Sequence, residues 1–247
     1  MNIGIQLYSV REEIAKEGLE TVLAKIKNAG YDCVEFAGFY GKTPAEVKEL
    51  LAKYDLKPLS AHIGANDIET NLPYIDELGI KYVFVPWNNY EGLCGQNYVD
   101  FCNAVHKAKK LLDSRGVVFG YHNHAQEYNN GEDKVYDLIT DIDGFTAELD
   151  IFWAVAGGHK PTSLMEKYGD ALVALHIKDM DKRANPTNPR EFPNAIVGEG
   201  QCGAREAMEK ALCMGVETFI LEVEGYPCDY EEYLIKSCQN IKKFAKI

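Results

Sequence analysis

The sequence lacks any C-x-x-C pair: its seven cysteines, Cys33, Cys94, Cys102, Cys202, Cys213, Cys228 and Cys238, are scattered and odd in number. That pattern argues against a disulfide framework or a cysteine-built zinc site, and it predicts reduced thiols in a cytoplasmic compartment. Long apolar runs are missing too. No stretch approaches the roughly 18 apolar residues of a membrane-spanning helix, and residues 1–8 (MNIGIQLY) have neither the basic start nor the long apolar core of an export leader. Positive charge is scarce, with 26 Lys and Arg against 38 Asp and Glu, which leaves a net charge of −12. With no local basic patch, such a surface repels phosphate backbones and anionic membranes, so neither nucleic acid nor membrane is an expected partner.

What is present is an alternation of short apolar runs and amphipathic segments over 247 residues, 46% of them hydrophobic. Runs at 3–8, 33–36, 57–63, 80–85, 116–124, 145–150, 172–179 and 217–223 read as strands. Between them lie segments such as Leu19, Val22, Leu23 and Ile26, whose three-and-four spacing is that of a helix facing a core. Gly30 ends that helix, and Thr43 with Pro44 forms an N-cap and first-turn pair for the next. Eight strand–helix units require eight parallel strands, because each crossover helix returns the chain in the same direction. The predicted fold is α/β, a single (β/α)8 TIM barrel that takes residues 1–247 as one domain.

Titratable side chains collect where these strands stop. The fifth run ends in His122, Asn123 and His124, and alternation along a strand sends both imidazoles the same way. Glu35, His62, Glu148, Asp150, His176, Lys178, Asp179, Glu222 and Glu224 stand at or near the ends of other strands. In a barrel those ends form the active site. Imidazoles and carboxylates without thiolates suit one divalent ion of Mn, Mg, Co or Zn, with positions left open for a substrate.

Six motifs run in order along the chain: QLYSVR at 6–11, YHNH at 121–124, ELDIFW at 148–153, HIKD at 176–179, VGEG at 197–200 and LEVE at 221–224. Together they resemble the sugar phosphate isomerase/epimerase family of xylose isomerase-like TIM barrels, a group related to endonuclease IV. The resemblance implies one divalent metal held by a strand-5 Glu, a strand-6 Asp, a strand-7 His and a strand-8 Glu. Residue by residue this carries over to Asp150, His176 and Glu222. The strand-5 place departs from the pattern, since Gly120 stands two residues before His122. His124, Glu127 or water is left to complete the set. In the related ketose epimerases the strand-5 and strand-8 carboxylates are the two opposed acid/base groups, so the resemblance here implies isomerisation, elimination or hydration more readily than two-base epimerisation.

The chemistry so implied is proton abstraction next to the carbonyl of a small carbohydrate, whether sugar, keto-sugar or cyclitol. His122, His124, Lys178 and Glu224 are its catalytic candidates. Glu35, His62, Glu148, Trp153 and Asp179 are expected to contact substrate. Each has an ordinary structural alternative: a core histidine for His62, a hydrogen-bonded pair for His122 and His124, a salt-bridged plug for Asp150, His176 and Glu222, and rim ion pairs for Glu35, Lys178 and Glu224. Trp153, Trp87, Tyr8 and Phe39 either stack on a sugar ring or pack. Two other functions stay open, an endonuclease IV-like nuclease, in which Trp153 replaces a second strand-6 ligand, and a non-catalytic sugar-binding barrel. A homo-oligomer is also left open. Residues 180–203 are expected to form a lid, being long, stiffened by Pro186, Pro189 and Pro193, and carrying Arg183 and Arg190.

Overall fold

The apolar runs close on themselves. In this computed structural model, which describes residues 1–89, 91–186 and 194–246, the barrel strands are β1 (Asn2–Gln6), β2 (Cys33–Phe36), β3 (Lys57–His62), β4 (Tyr82–Val85), β5 (Val118–His122), β6 (Thr146–Asp150) and β7 (Leu172–Ile177). A small ribbon follows, β8 (Asp179–Met180) paired antiparallel with β9 (Asn194–Ala195), and β10 (Thr218–Leu221) is the eighth barrel strand. The barrel is hydrogen-bonded in the order β1-β10-β7-β6-β5-β4-β3-β2, with parallel pairing throughout.

Local chemistry sets the surrounding helices. The helix Leu19–Ala29 buries Leu19, Val22, Leu23 and Ile26 and stops at Gly30, whose φ of 103° strains any other residue. The helix Pro44–Lys53 begins with a capping box, in which Thr43 Oγ1 accepts from the Glu46 N–H and the Glu46 carboxylate accepts from the Thr43 N–H. Between helices and barrel lies the main core, to which the strands contribute residues such as Ile3, Ile5, Val34, Phe36, Val83 and Val85.

Inside the barrel the layers differ. Toward the strand starts, Cys33, Leu59 and Ile220 form a separate apolar cluster with Tyr82 packed on it. Gly4 completes this floor. A Cβ at position 4 would lie 2.7 Å from both Cys33 Sγ and Ile220 Cδ1, so the packing requires glycine there. Toward the strand ends the interior turns polar, with Gln6, Glu35, His122, Glu148, Asp150 and His176 all buried. Two register shifts, at Val34/Glu35 against β3 and at Ala147/Glu148 against β7, fall directly before two of these carboxylates. Such irregularities re-aim the side chains beside them.

The structure departs from the sequence reading in places. β1 ends at Gln6, where a 3-10 turn, Leu7–Val10, takes over. After β6 the chain passes straight into a short helix, Ile151–Ala156, because the Asp150 carboxylate accepts from the Trp153 N–H and caps it. Of the expected lid, residues 187–193, with Pro189, Arg190 and Pro193, lie outside the described residues. Its described ends are tied by the β8–β9 ribbon, by Gln201 N–H donating to the Met180 carbonyl, and by the Gln201 amide donating to the carbonyls of Asp181 and Ala184. Among the described residues no helix is long and apolar enough to cross a membrane.

Candidate active site

The polar interior has two tiers. In the lower, His62 Nε2 lies 3.0 Å from Glu35 Oε1 and 2.9 Å from Glu148 Oε2. His176 Nε2 approaches the same two oxygens, at 2.6 and 3.1 Å. The two rings are stacked, 5.2 Å apart and 12° from parallel, with a carboxylate oxygen on either side. Gln6 Nε2 donates to Glu35 Oε1 at 2.8 Å, and His122 Nδ1 lies 3.1 Å from Glu148 Oε2. Opposite charges enclosed in this way settle each other's protonation. Burial alone would lower His62, but Glu35 and Glu148 outweigh it and raise its pKa to about 10. His176 is likewise raised against burial by Glu148 and Glu35. Burial pushes Glu35 up, yet His62 and His176 hold it well below the usual carboxylate range.

The upper tier joins His122, Asp150, His176 and Glu222. One donor atom from each lies within 4.8 Å of the others. His176 Nδ1 is 3.2 Å from Glu222 Oε2, and His122 Nε2 is 3.9 Å from the same oxygen. Asp150 Oδ1 is taken by the helix cap, while its Oδ2 is buried without any hydrogen-bond partner. A buried, unpartnered carboxylate oxygen facing two imidazoles and a second carboxylate is the donor chemistry of a divalent-cation site, so the residues present fit such an ion. His122 is the β5 residue of this group, two positions beyond Gly120. The sequence reading makes one of His122 and His124 a proton carrier and the other a ligand or substrate contact, and it is His122 that lies with the three expected ligands. Burial, reinforced by Glu222 and opposed by Lys178, pushes Asp150 up to about 7. His122 is held well below the ordinary histidine value by burial and by the His176 charge. A second group, His62, His122, Glu148 and His176, is equally close; there Glu148 Oε2 is shared by all three imidazoles, while Glu148 Oε1 is buried without a partner.

Above these tiers opens a cavity of about 460 Å³ lined by His62, His122, His124, Glu222 and Glu224 together with Tyr8, Ala37, Pro86 and Trp87. His124, just past the end of β5, has its Nδ1 buried and unpartnered. Burial, opposed by Glu222 and aided by Lys178, lowers its pKa to about 4, so its ring is neutral. Its ring centroid is 5.4 Å from that of Trp153, whose Nε1 also lacks a partner. Lys178 is fully buried and paired with the half-exposed Glu224, and its Nζ sits 4.4 Å from the Phe152 ring centroid and 4.6 Å from that of Trp153.

Asp179 requires a correction. It is not a substrate contact: both carboxylate oxygens are consumed by backbone, Oδ2 accepting from Gly198 and Gly200 N–H at 2.8 and 3.1 Å, and Oδ1 from Cys202 and Met180 N–H at 2.9 and 3.0 Å. It is 1% exposed, because it clasps the VGEG loop to the end of β7. Glu127 is not a ligand either, since its carboxylate accepts from Tyr121 Oη and from His124 N–H, each at 2.8 Å. Phe39 stacks on Tyr74 at 3.8 Å and is packing. The described part of the 180–203 segment does not line the cavity; Asp181, Lys182 and Arg183 line a different one. Two contributors went unread in the sequence. Gln6 holds Glu35, and Asn123, between the two histidines, clamps the Asp150 backbone by accepting from its N–H at 2.8 Å and donating to its carbonyl at 3.2 Å.

A closed parallel barrel with imidazoles and carboxylates at the strand ends is the arrangement of one large family. The chain belongs to the xylose isomerase-like TIM barrel family, whose model matches residues 23–244. The inosose dehydratase of Geobacillus kaustophilus is 22% identical over 190 residues, 65% of this chain and 62% of that enzyme, so the match spans less than two thirds of the curated relative. A sugar phosphate isomerase/epimerase from Parabacteroides distasonis superposes with a TM-score of 0.75 at 22% identity, over 96% of this chain and 92% of that one. The probable 3-DHS dehydratase of petrobactin synthesis from Bacillus anthracis gives 0.76 at 12% identity, over 98% and 99%. At these identities the solved structures show the fold alone.

Proposed function

We propose that this barrel is an enzyme that removes a proton from the carbon next to a carbonyl of a keto-sugar or cyclitol and eliminates the hydroxyl from the following carbon as water. The observation that carries it is His124: a neutral imidazole with a free, buried Nδ1, on the wall of a cavity whose base is the cation-fitting cluster. A divalent ion held by His122, Asp150, His176 and Glu222 would stabilise negative charge developing on the carbonyl oxygen. His124 takes the proton from carbon. Lys178, ion-paired with Glu224 of the cavity lining, gives a proton to the departing hydroxyl, and solvent returns the proton from His124 to Lys178. The lower tier fixes the rings: Glu148 orients His122 through Nδ1, and Glu35 orients His176.

The dehydratases among the similar proteins support elimination. Isomerisation is the second reading, favoured by the Parabacteroides likeness; it needs the same first step, with the proton returned to the neighbouring carbon. Both are tested by incubating the protein with Mg²⁺ and a panel of keto-sugars and keto-cyclitols in D₂O. Exchange of a carbon-bound proton next to the carbonyl is expected, and the product, enone or aldose, separates the two readings. If no ketone in the panel exchanges, neither reading stands.

A further inference from the structure

The cavity has two unlike walls. Trp87 and Tyr8 are 54% and 45% exposed, unusual for large aromatics, and with Ala37, Pro86 and His62 they stand at or just past the ends of strands β1 to β4, whereas His122, His124, Glu222 and Glu224 stand at or just past the ends of β5 and β10 on the other half of the barrel. An exposed aromatic wall facing polar donors suits a ring with one C–H face and a rim of hydroxyls. The two carboxylates of the lining are each matched, Glu222 as a candidate ligand of the divalent ion and Glu224 by Lys178, and among the described lining residues none is Lys or Arg. The positive charge of Lys178 is balanced by Glu224, so the pair offers an anion no net attraction. Arg11 stacks 4.1 Å over the Tyr8 ring and donates to the Tyr8 carbonyl, and Arg183 is held by Asp181.

A second observation is independent of the first. Barrels that take phosphorylated ligands often hold the phosphate on backbone N–H groups of the loops after strands seven and eight. Here the loop after β7 does present converging N–H groups, those of Gly198, Gly200 and Cys202, but all three already donate to the Asp179 carboxylate. Gly200 is pressed so close that a Cβ would lie 2.3 Å from Asp179 Oδ1. The protein's own anion fills this nest.

We infer that the ligand is an uncharged cyclic polyhydroxy ketone, its C–H face on Trp87 and Tyr8, and that sugar phosphates are excluded; this rests on the carbohydrate reading above. A phosphate dianion would meet no unmatched cation among the described lining residues and find its backbone nest occupied.

The chain's two tryptophans, Trp87 and Trp153, both flank the site, so their fluorescence reports binding. The Mg²⁺-supplemented protein is titrated with an inosose, D-fructose and D-fructose 6-phosphate. A saturable change with the inosose or fructose, and binding of fructose 6-phosphate at least about tenfold weaker than of fructose, is expected. Trp87→Ala weakens the neutral ligand roughly tenfold, and Trp87→Phe restores most of it. Equal or tighter binding of fructose 6-phosphate overturns the inference and leaves the carbohydrate reading intact. An unchanged affinity in W87A overturns the aromatic placement. If no probe binds and no ketone exchanges its proton, the carbohydrate reading falls and takes the inference with it.

Discussion

Gly120 faces Thr146 across the β5–β6 pairing so closely that a Cβ at position 120 would lie 2.4 Å from Thr146 Oγ1 and 2.5 Å from the Thr146 carbonyl oxygen. The place of the absent strand-5 carboxylate is therefore filled by backbone. Gly120→Glu is expected to cost about 3 kcal/mol or more, as overpacking against an immovable carbonyl does, without tightening metal binding. Urea denaturation and metal titration of the variant check both halves. A stable variant with raised affinity would show that the site tolerates the carboxylate.

Asp150 has two separable duties, one oxygen on the helix cap and one free. Asp150→Asn keeps a capping oxygen, so its melting temperature is expected to stay within a few degrees. It removes an anionic ligand, and divalent-ion affinity should fall by more than the roughly 10–100-fold typical of losing an outer hydrogen-bond partner. Calorimetric titration with Mn²⁺ measures it. Unchanged affinity would place the ion elsewhere.

His124→Gln should leave metal stoichiometry alone and slow exchange of the substrate's carbon-bound proton by roughly 10²–10⁴-fold, the usual contribution of a positioned general base. His122→Gln, by contrast, should lower both. If the two variants behave alike, the division between proton carrier and ligand is misplaced.

Asp179→Ala strips four backbone N–H groups of their acceptor. A loss of roughly 3 kcal/mol follows from buried donors left bare, or about 6–12 °C in melting temperature for a chain of this size. Inorganic phosphate should raise the melting temperature of the variant more than that of the parent, by occupying the emptied nest. Differential scanning calorimetry with and without phosphate decides it.

Burial pushes Glu127 up to about 7 from an ordinary value of 4.5. Between those values the unfolded chain has lost the proton that the folded chain keeps, so this group's contribution to stability is greatest at low pH and is lost as pH rises toward 7. The full swing is roughly 3 kcal/mol. Glu127→Gln removes it, so the stability of the variant relative to the parent should improve from pH 5 to pH 7 in paired urea titrations. A pH-independent difference would mean that Glu127 is ionised throughout.

The barrel could be read from the sequence because strand and helix periods alternate eight times, and the strand tips could be read because Glu35, His62, His122, Asp150, His176 and Glu222 interrupt otherwise apolar runs. Height within the barrel could not. The register shifts before Glu35 and Glu148 arise from pairing between strands distant in sequence, and they decide that Glu148 braces three histidines. Asp179 looked like a site residue because it follows His176 and Lys178 in one motif, but one further step along the chain turned it into the loop. The helix Ile151–Ala156 was hidden by aromatic and β-branched residues that suit a strand equally well. Asn123 was hidden by its neighbours, since strand alternation points it away from the cavity and toward the Asp150 backbone.

Gly4, Cys33, Leu59, Tyr82 and Ile220 pack the barrel interior toward the strand starts, and the described cavity opens at the other end. Traffic is therefore one-way in and the same way out: a spent molecule must depart past Trp87 and Tyr8 before a fresh one can arrive. Under the proposed reaction the product competes with the substrate for that doorway, and steady-state inhibition by product should be competitive.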